Sequence, residues 1–266
     1  MNPNPSRRDP AAVVVILVAL VVVAVVALTA GAAARATAAS RDWQLPAGPE
    51  VSLVASAAAG AAPAAPARTA APGGRVAASW VATTSTATGI GSVALRAYAN
   101  ATLELAAQDP SCRLGWTTLA AIGGIESGHG THGGAVLAED GKPSIPIIGP
   151  ALDGRPGFAA IRAEPDATAW HGDPVWDHAV GPLQFLPSTW RRWAADGDGD
   201  QVADPNDLDD AALAAGRYLC AAGTDLTAAA DWQAAVLSYN HSAAYVASVL
   251  SWANGYAAAS RPGPRS

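Results

Sequence analysis

The stretch that constrains this chain most is Ala121-Ile122-Gly123-Gly124-Ile125-Glu126-Ser127-Gly128-His129-Gly130. The run from Trp116 to Ile125 carries no charge at all, and such a run reads as a buried helix. It ends on one carboxylate, Glu126. Gly128, Gly130, Gly133 and Gly134 follow, which reads as a helix stop and a loop with backbone angles that other residues avoid. Glu126 is therefore expected at the mouth of a core helix, half in apolar surroundings. Burial disfavours the charged form, so a carboxylate there keeps its proton to higher pH, as a general acid requires. The same spacing also suits a glutamate that caps the helix or pairs with an arginine.

The chain has 266 residues and a net charge of -6, a balance that argues against a nucleic-acid partner. Residues 1–10 are short and polar, with Arg7 and Arg8. Ala11 to Ala30 follow with no charged residue. Twenty helical residues span roughly 30 Å, the thickness of a bilayer core. The two arginines favour an N-terminus inside and the remainder outside. Residues 11–33 thus read as a single-pass transmembrane anchor with the rest of the chain extracytoplasmic. The competing reading is a signal peptide cleaved near Ala32-Ala33-Ala34, for which the apolar run is long. Residues 34–88 are rich in Ala, Pro, Gly, Ser and Thr and hold too few large apolar side chains for a core, so they read as a disordered linker.

A folded domain is expected over 89–258, with 259–266 as a tail. Ala94–Gln108 and Trp116–Glu126 read as helices. Asp140-Gly141 between apolar runs predicts a small β-hairpin. Gly149–Asp177 reads mostly as loop. Pro187 fits the first turn of a helix reaching about Ala195. Leu208–Ala222, Asp231–Asn240 and Ala243–Ala258 complete the set. The two cysteines, Cys112 and Cys220, belong to no CxxC pair, and an even pair in a chain that leaves the cytoplasm suggests one disulfide. Nine tryptophans stand against two phenylalanines, and tryptophan is a common platform for sugar rings as well as an ordinary core residue.

Four motifs in order resemble the MltB-like lytic murein transglycosylases in their actinobacterial membrane-anchored form. They are Glu126-Ser127-Gly128-His129-Gly130, Ile148-Gly149-Pro150-Ala151-Leu152-Asp153-Gly154, Val180 through Trp190, and Ser238-Tyr239-Asn240-His241-Ser242. The resemblance implies a mainly α, lysozyme-like (goose-type) helical domain acting on the MurNAc–GlcNAc bond of peptidoglycan glycan strands. It implies Glu126 as catalytic residue and Ser127, Gln184, Tyr239 and Asn240 as substrate-binding residues, with no cofactor for catalysis. Gly124 and His178 stand where an arginine is common in that family.

A glycosidase usually needs two carboxylates, but one suffices when the substrate supplies the nucleophile. The N-acetyl oxygen of MurNAc can stabilise the cationic centre, and its C6 hydroxyl can then close a 1,6-anhydro ring. A hydrolytic muramidase would need a partner acid, for which Asp173, Asp177 and Asp209 are the candidates. A non-catalytic wall-binding module is a third reading, against which the intact Glu126 motif argues.

Asp196, Asp198, Asp200, Asp204 and Asp207 fit positions 1, 3, 5, 9 and 12 of a calcium loop, with the Val202 carbonyl at 7. Gln201 replaces the preferred glycine and Asp207 the bidentate glutamate. A structural calcium ion is expected there, against the plainer reading of a solvated acidic turn. His129 and His132 lack a third metal ligand at recognisable spacing, and His241 reads as a satisfied hydrogen-bonding residue.

Overall fold

The alanine-rich stretches form helices, several of them closed by Gly or Asp, as at Gly89, Asp109 and Gly223. The computed structural model describes residues 75–155 and 158–261. The expected 1–10 tail, the 11–33 anchor, most of the linker and the end of the 259–266 tail lie outside them. No helix among the described residues is long and apolar enough to cross a membrane.

The helices are α1 (Ala78–Thr88), α2 (Ser92–Gln108), α3 (Trp116–Ser127), α4 (Thr168–His171), α5 (Pro187–Trp193), α6 (Leu208–Ala222), α7 (Ala229–Tyr239) and α8 (Ala243–Ala259). The longest packings pair α2 with α6 and α3 with α8. Helix α7 packs on both α6 and α8, and α5 lies on α6. Helix α3 is apolar on every side and is enclosed accordingly: Trp116, Leu119, Ala120, Ala121 and Ile122 are all fully buried. Asp207 caps α6 by accepting the Asp209 N–H, and Ser242 caps α8 by accepting that of Tyr245.

Two expectations are corrected. The linker does not reach residue 88, because Ala78–Thr88 is helical. Val81 and Thr84 are buried and Trp80 meets Trp116 edge-on at 5.5 Å between centroids. Two large apolar side chains placed near one face were enough to dock a segment whose composition reads as linker. The hairpin is the second correction. Around Asp140-Gly141 there is a tight turn, closed by Ala138 N–H to the Lys142 carbonyl at 3.0 Å, with a single Leu137–Pro143 bridge and no paired strands. Pro143 and Pro146 have no N–H to continue a ladder. Elsewhere among the described residues β pairing is also confined to isolated bridges, which brace the 148–180 loop.

The disulfide between Cys112 and Cys220 is present, with a Cα–Cα distance of 5.3 Å. It ties the turn before α3 to the end of α6, across 108 residues of chain.

Candidate active site

Glu126 is the penultimate residue of α3. The helix closes at Gly128 (φ 60), and His129 (φ 61) and Gly130 (φ 83) continue in the left-handed region, so the chain turns back sharply and leaves the carboxyl at an open end. Burial raises the Glu126 pKa above the ordinary carboxylate value, and a hydrogen bond from Tyr245 lowers it partway back. That bond runs from the Tyr245 hydroxyl to Glu126 Oε1 at 2.5 Å. Tyr245 sits in the first turn of α8, and its phenol is held protonated by burial and by the adjacent carboxyl.

The loop after α3 is fixed from beneath. His129 bridges two hydroxyls, Nδ1 to Tyr98 at 3.1 Å and Nε2 to Tyr256 at 3.0 Å. Burial lowers its pKa to about 4, so the ring is neutral at working pH. Gly123 leaves no room for anything larger, since a Cβ there would lie 2.0 Å from the Tyr98 hydroxyl oxygen. His129 is thus a half-buried brace for the loop after α3.

The expected substrate-binding residues divide. Ser127 is buried, accepts from Gly130 N–H at 2.7 Å and donates to the Pro182 carbonyl at 2.6 Å. All its hydrogen bonding is internal: it pins α3 to the 181–184 turn and does not face a ligand, so its expected binding role is corrected to a structural one. Tyr239 donates its hydroxyl to the Leu183 carbonyl at 2.7 Å, and its ring packs against those of Phe185 and Tyr218. Gln184 is a non-glycine residue at φ 50, and its Nε2 donates to the Gly181 carbonyl at 2.9 Å. Gly181 makes that turn possible, since at φ 77 a Cβ would lie 1.8 Å from the Pro205 carbonyl oxygen. Gln184, Phe185, Thr189, Tyr218, Tyr239 and His241 line a cavity of about 230 Å³ that combines aromatic rings with amide and hydroxyl side chains; Glu126 is not among its lining residues. Asn240 is exposed just after α7. Tyr245, which donates to Glu126, is the residue beside that carboxyl that the sequence did not single out. Its only signal was a hydroxyl among alanines six residues beyond Tyr239.

The acids that could act as a second carboxylate are engaged elsewhere. Asp177 is buried and accepts from His171 Nε2 at 3.0 Å, while His171 Nδ1 accepts the Asp173 N–H. Asp173 accepts the N–H groups of Val175 and Trp176 and bonds His178, which together hold its pKa down at about 2. His178 also meets the Gly149 carbonyl at 2.7 Å, so it braces the loop from the position where the resembling family often has arginine. Asp153 caps its own turn and pairs with Arg155. Asp209 is buried in the first turn of α6, beside Gly141 and Asp207.

In the acidic loop, three carboxylates converge: ligand oxygens of Asp196, Asp198 and Asp210 lie within 4.8 Å of one another. Asp210 was not in the expected set. It is buried on α6 and accepts the N–H groups of Gly197 and Asp204, stapling both arms of the loop. The other expected ligands lie outside this cluster. Asp200 accepts Val202 N–H, Asp204 pairs with Lys142 at 3.2 Å, Asp207 is the α6 cap, and Val202 is exposed. Three hard oxygen donors suit calcium or magnesium chemistry.

Residues 164–236 match the Transglycosylase SLT domain. That segment is about a quarter of the chain and runs from the loop before α4 through most of α7. It contains the Gln184 turn, the acidic loop and the helices that back them. The match supports a lytic transglycosylase family and peptidoglycan glycan strands as substrate, and such a domain needs no cofactor for catalysis. Glu126 and Tyr245 lie outside the matched segment, so their roles rest on geometry. No curated protein and no solved structure gives a match to the chain.

Proposed function

We propose that the domain is a peptidoglycan lytic transglycosylase of the MltB-like type that cleaves the MurNAc–GlcNAc β-1,4 bond and leaves 1,6-anhydroMurNAc. The observation that carries this is a single buried-side carboxyl, Glu126, at the end of an apolar helix with its pKa raised and one hydroxyl donor upon it. Glu126 donates its proton to the glycosidic oxygen as the C1–O bond breaks. The N-acetyl oxygen of MurNAc stabilises C1. The Glu126 carboxylate then takes the C6 hydroxyl proton while O6 bonds to C1, so the acid is regenerated and no water is consumed. Gln184, the Tyr239 ring and Asn240 hold the sugar beside it. Glu126→Gln keeps size but cannot cycle a proton, and a lost acid–base group costs about 10²–10⁴-fold. Asp173→Asn and Asp177→Asn should each retain the reaction. An Asp variant as inactive as Glu126→Gln would favour a two-carboxylate muramidase.

The same reading places the domain outside the cytoplasmic membrane, tethered by residues 11–33. The Cys112–Cys220 disulfide suits such an oxidising compartment. The acidic loop is read as a structural calcium site built on Asp196, Asp198 and Asp210.

A further inference from the structure

Helix α8 carries Tyr245, Trp252 and Tyr256 at i, i+7 and i+11, which puts them on one stripe. All three meet the last turn of α3 or the loop that caps it. Tyr245 holds Glu126, Tyr256 holds His129, and Trp252, between them, rests over Gly124. The two tyrosines have their hydroxyls engaged. Trp252 is the member left open, 45% exposed.

A single exposed apolar side chain needs no explanation by itself. Four observations set this one apart. The ring has a built seat: a Cβ on Gly124 would lie 2.6 Å from Cζ3 and 2.8 Å from Cε3, so the indole occupies the space of a missing side chain. Tyr256 meets it edge-on, with centroids 6.0 Å apart and planes at 78°. The ring is also close to the chemistry, two turns from Tyr245, or about 10 Å along α8. Lastly, α8 has no charged residue from Ala243 to Ala259, and its exposed positions one turn either side of Trp252 are Ser248 and Gly255. A flat apolar ring on an uncharged helix surface matches the apolar C–H face of a pyranose. A charged partner would find no counter-charge on this helix.

We propose that Trp252 is a glycan-stacking platform at the margin of the Glu126 opening, seated by the absent side chain of Gly124, and that it carries a sugar unit of the strand near the bond that is cut. The proposal rests on the transglycosylase reading above.

Trp252→Ala and Gly124→Ala are compared with wild type on soluble glycan strands. Alanine suits the helical backbone at 124, but its Cβ would push the indole aside, so this variant moves the platform without removing it. Each should raise KM about three- to tenfold and change kcat far less, with Trp252→Phe recovering part of the loss. Melting curves of the three variants report folding. Independently of turnover, N-acetylglucosamine oligomers should perturb the tryptophan emission of Glu126→Gln, and adding Trp252→Ala should weaken that response. Unchanged KM together with an unchanged emission response overturns the proposal. So does a Trp252→Ala variant that loses binding to phosphatidylcholine vesicles with KM unaltered, which would make the ring a membrane contact. A wild type that releases nothing from glycan strands counts against the transglycosylase reading, while the emission response still decides the role of Trp252.

Discussion

Tyr245→Phe removes one oxygen and little else. That oxygen donates to Glu126 Oε1 at 2.5 Å. A hydrogen bond to a charged group contributes about 1.5–3 kcal/mol. It matters most once Glu126 has given up its proton and the carboxylate is forming, so its loss falls on the transition state. Each 1.36 kcal/mol is a factor of ten, giving a decrease of roughly ten- to hundredfold in kcat/KM. The half-buried position of Glu126 places the expectation toward the lower end. The pH profile supplies a second readout. Burial raises the Glu126 pKa and the Tyr245 bond lowers it, so deleting the bond raises it further. Activity requires the protonated acid in the free enzyme, so the alkaline limb should move to higher pH in Tyr245→Phe. The assay is release of glycan fragments from purified peptidoglycan across the acid-to-neutral range, with a melting curve to confirm folding. A folded Tyr245→Phe with wild-type rate and an unmoved limb would refute the idea that the Tyr245 hydroxyl assists Glu126.

Three further outcomes are expected. Opening Cys112–Cys220 frees a long loop, for which chain entropy predicts a loss of about 4–5 kcal/mol, so Cys112→Ser/Cys220→Ser should melt well below wild type; equal melting would show that the bond constrains little. Calcium in millimolar excess should raise the melting temperature by mass action and a chelator lower it, with Asp210→Asn abolishing the difference; identical curves with and without calcium would leave a bare acidic turn. Full-length protein should stay with membranes through a salt wash, and mature protein beginning near residue 35 in the medium would instead show a cleaved leader.

Most helices were readable from periodicity because their ends carry local signals: Pro187 at a first turn, Asp207 and Ser242 at caps, Gly128 at a left-handed close. Helix α1 was not, since its alanine- and threonine-rich composition resembles the linker before it and only docking of Val81 and Trp80 decides its state. Glu126 was readable because a lone charge ends an uncharged run. Ser127 was misassigned because sequence reveals a hydroxyl but not the direction it faces, and here it faces the Pro182 carbonyl. Tyr245 has its partner 119 residues away in the chain, and Asp210 lies just past the loop in α6, where only the fold-back of the loop onto the helix brings it to Gly197 and Asp204. The loop pattern suggested a ligand set by counting along the chain, whereas the fold draws in a carboxylate from the next helix and assigns Asp207 to its cap.

The central claim is that Glu126 alone serves as acid and base and that the sugar's own C6 hydroxyl closes the reaction. The most direct measurement is the mass of the glycan ends released from purified peptidoglycan by wild-type enzyme, with Glu126→Gln as the blank. The account predicts MurNAc ends lighter than free reducing ends by one water, insensitive to borohydride, and absent from the Glu126→Gln digest. Free reducing ends, or anhydro ends released undiminished by Glu126→Gln, would contradict it.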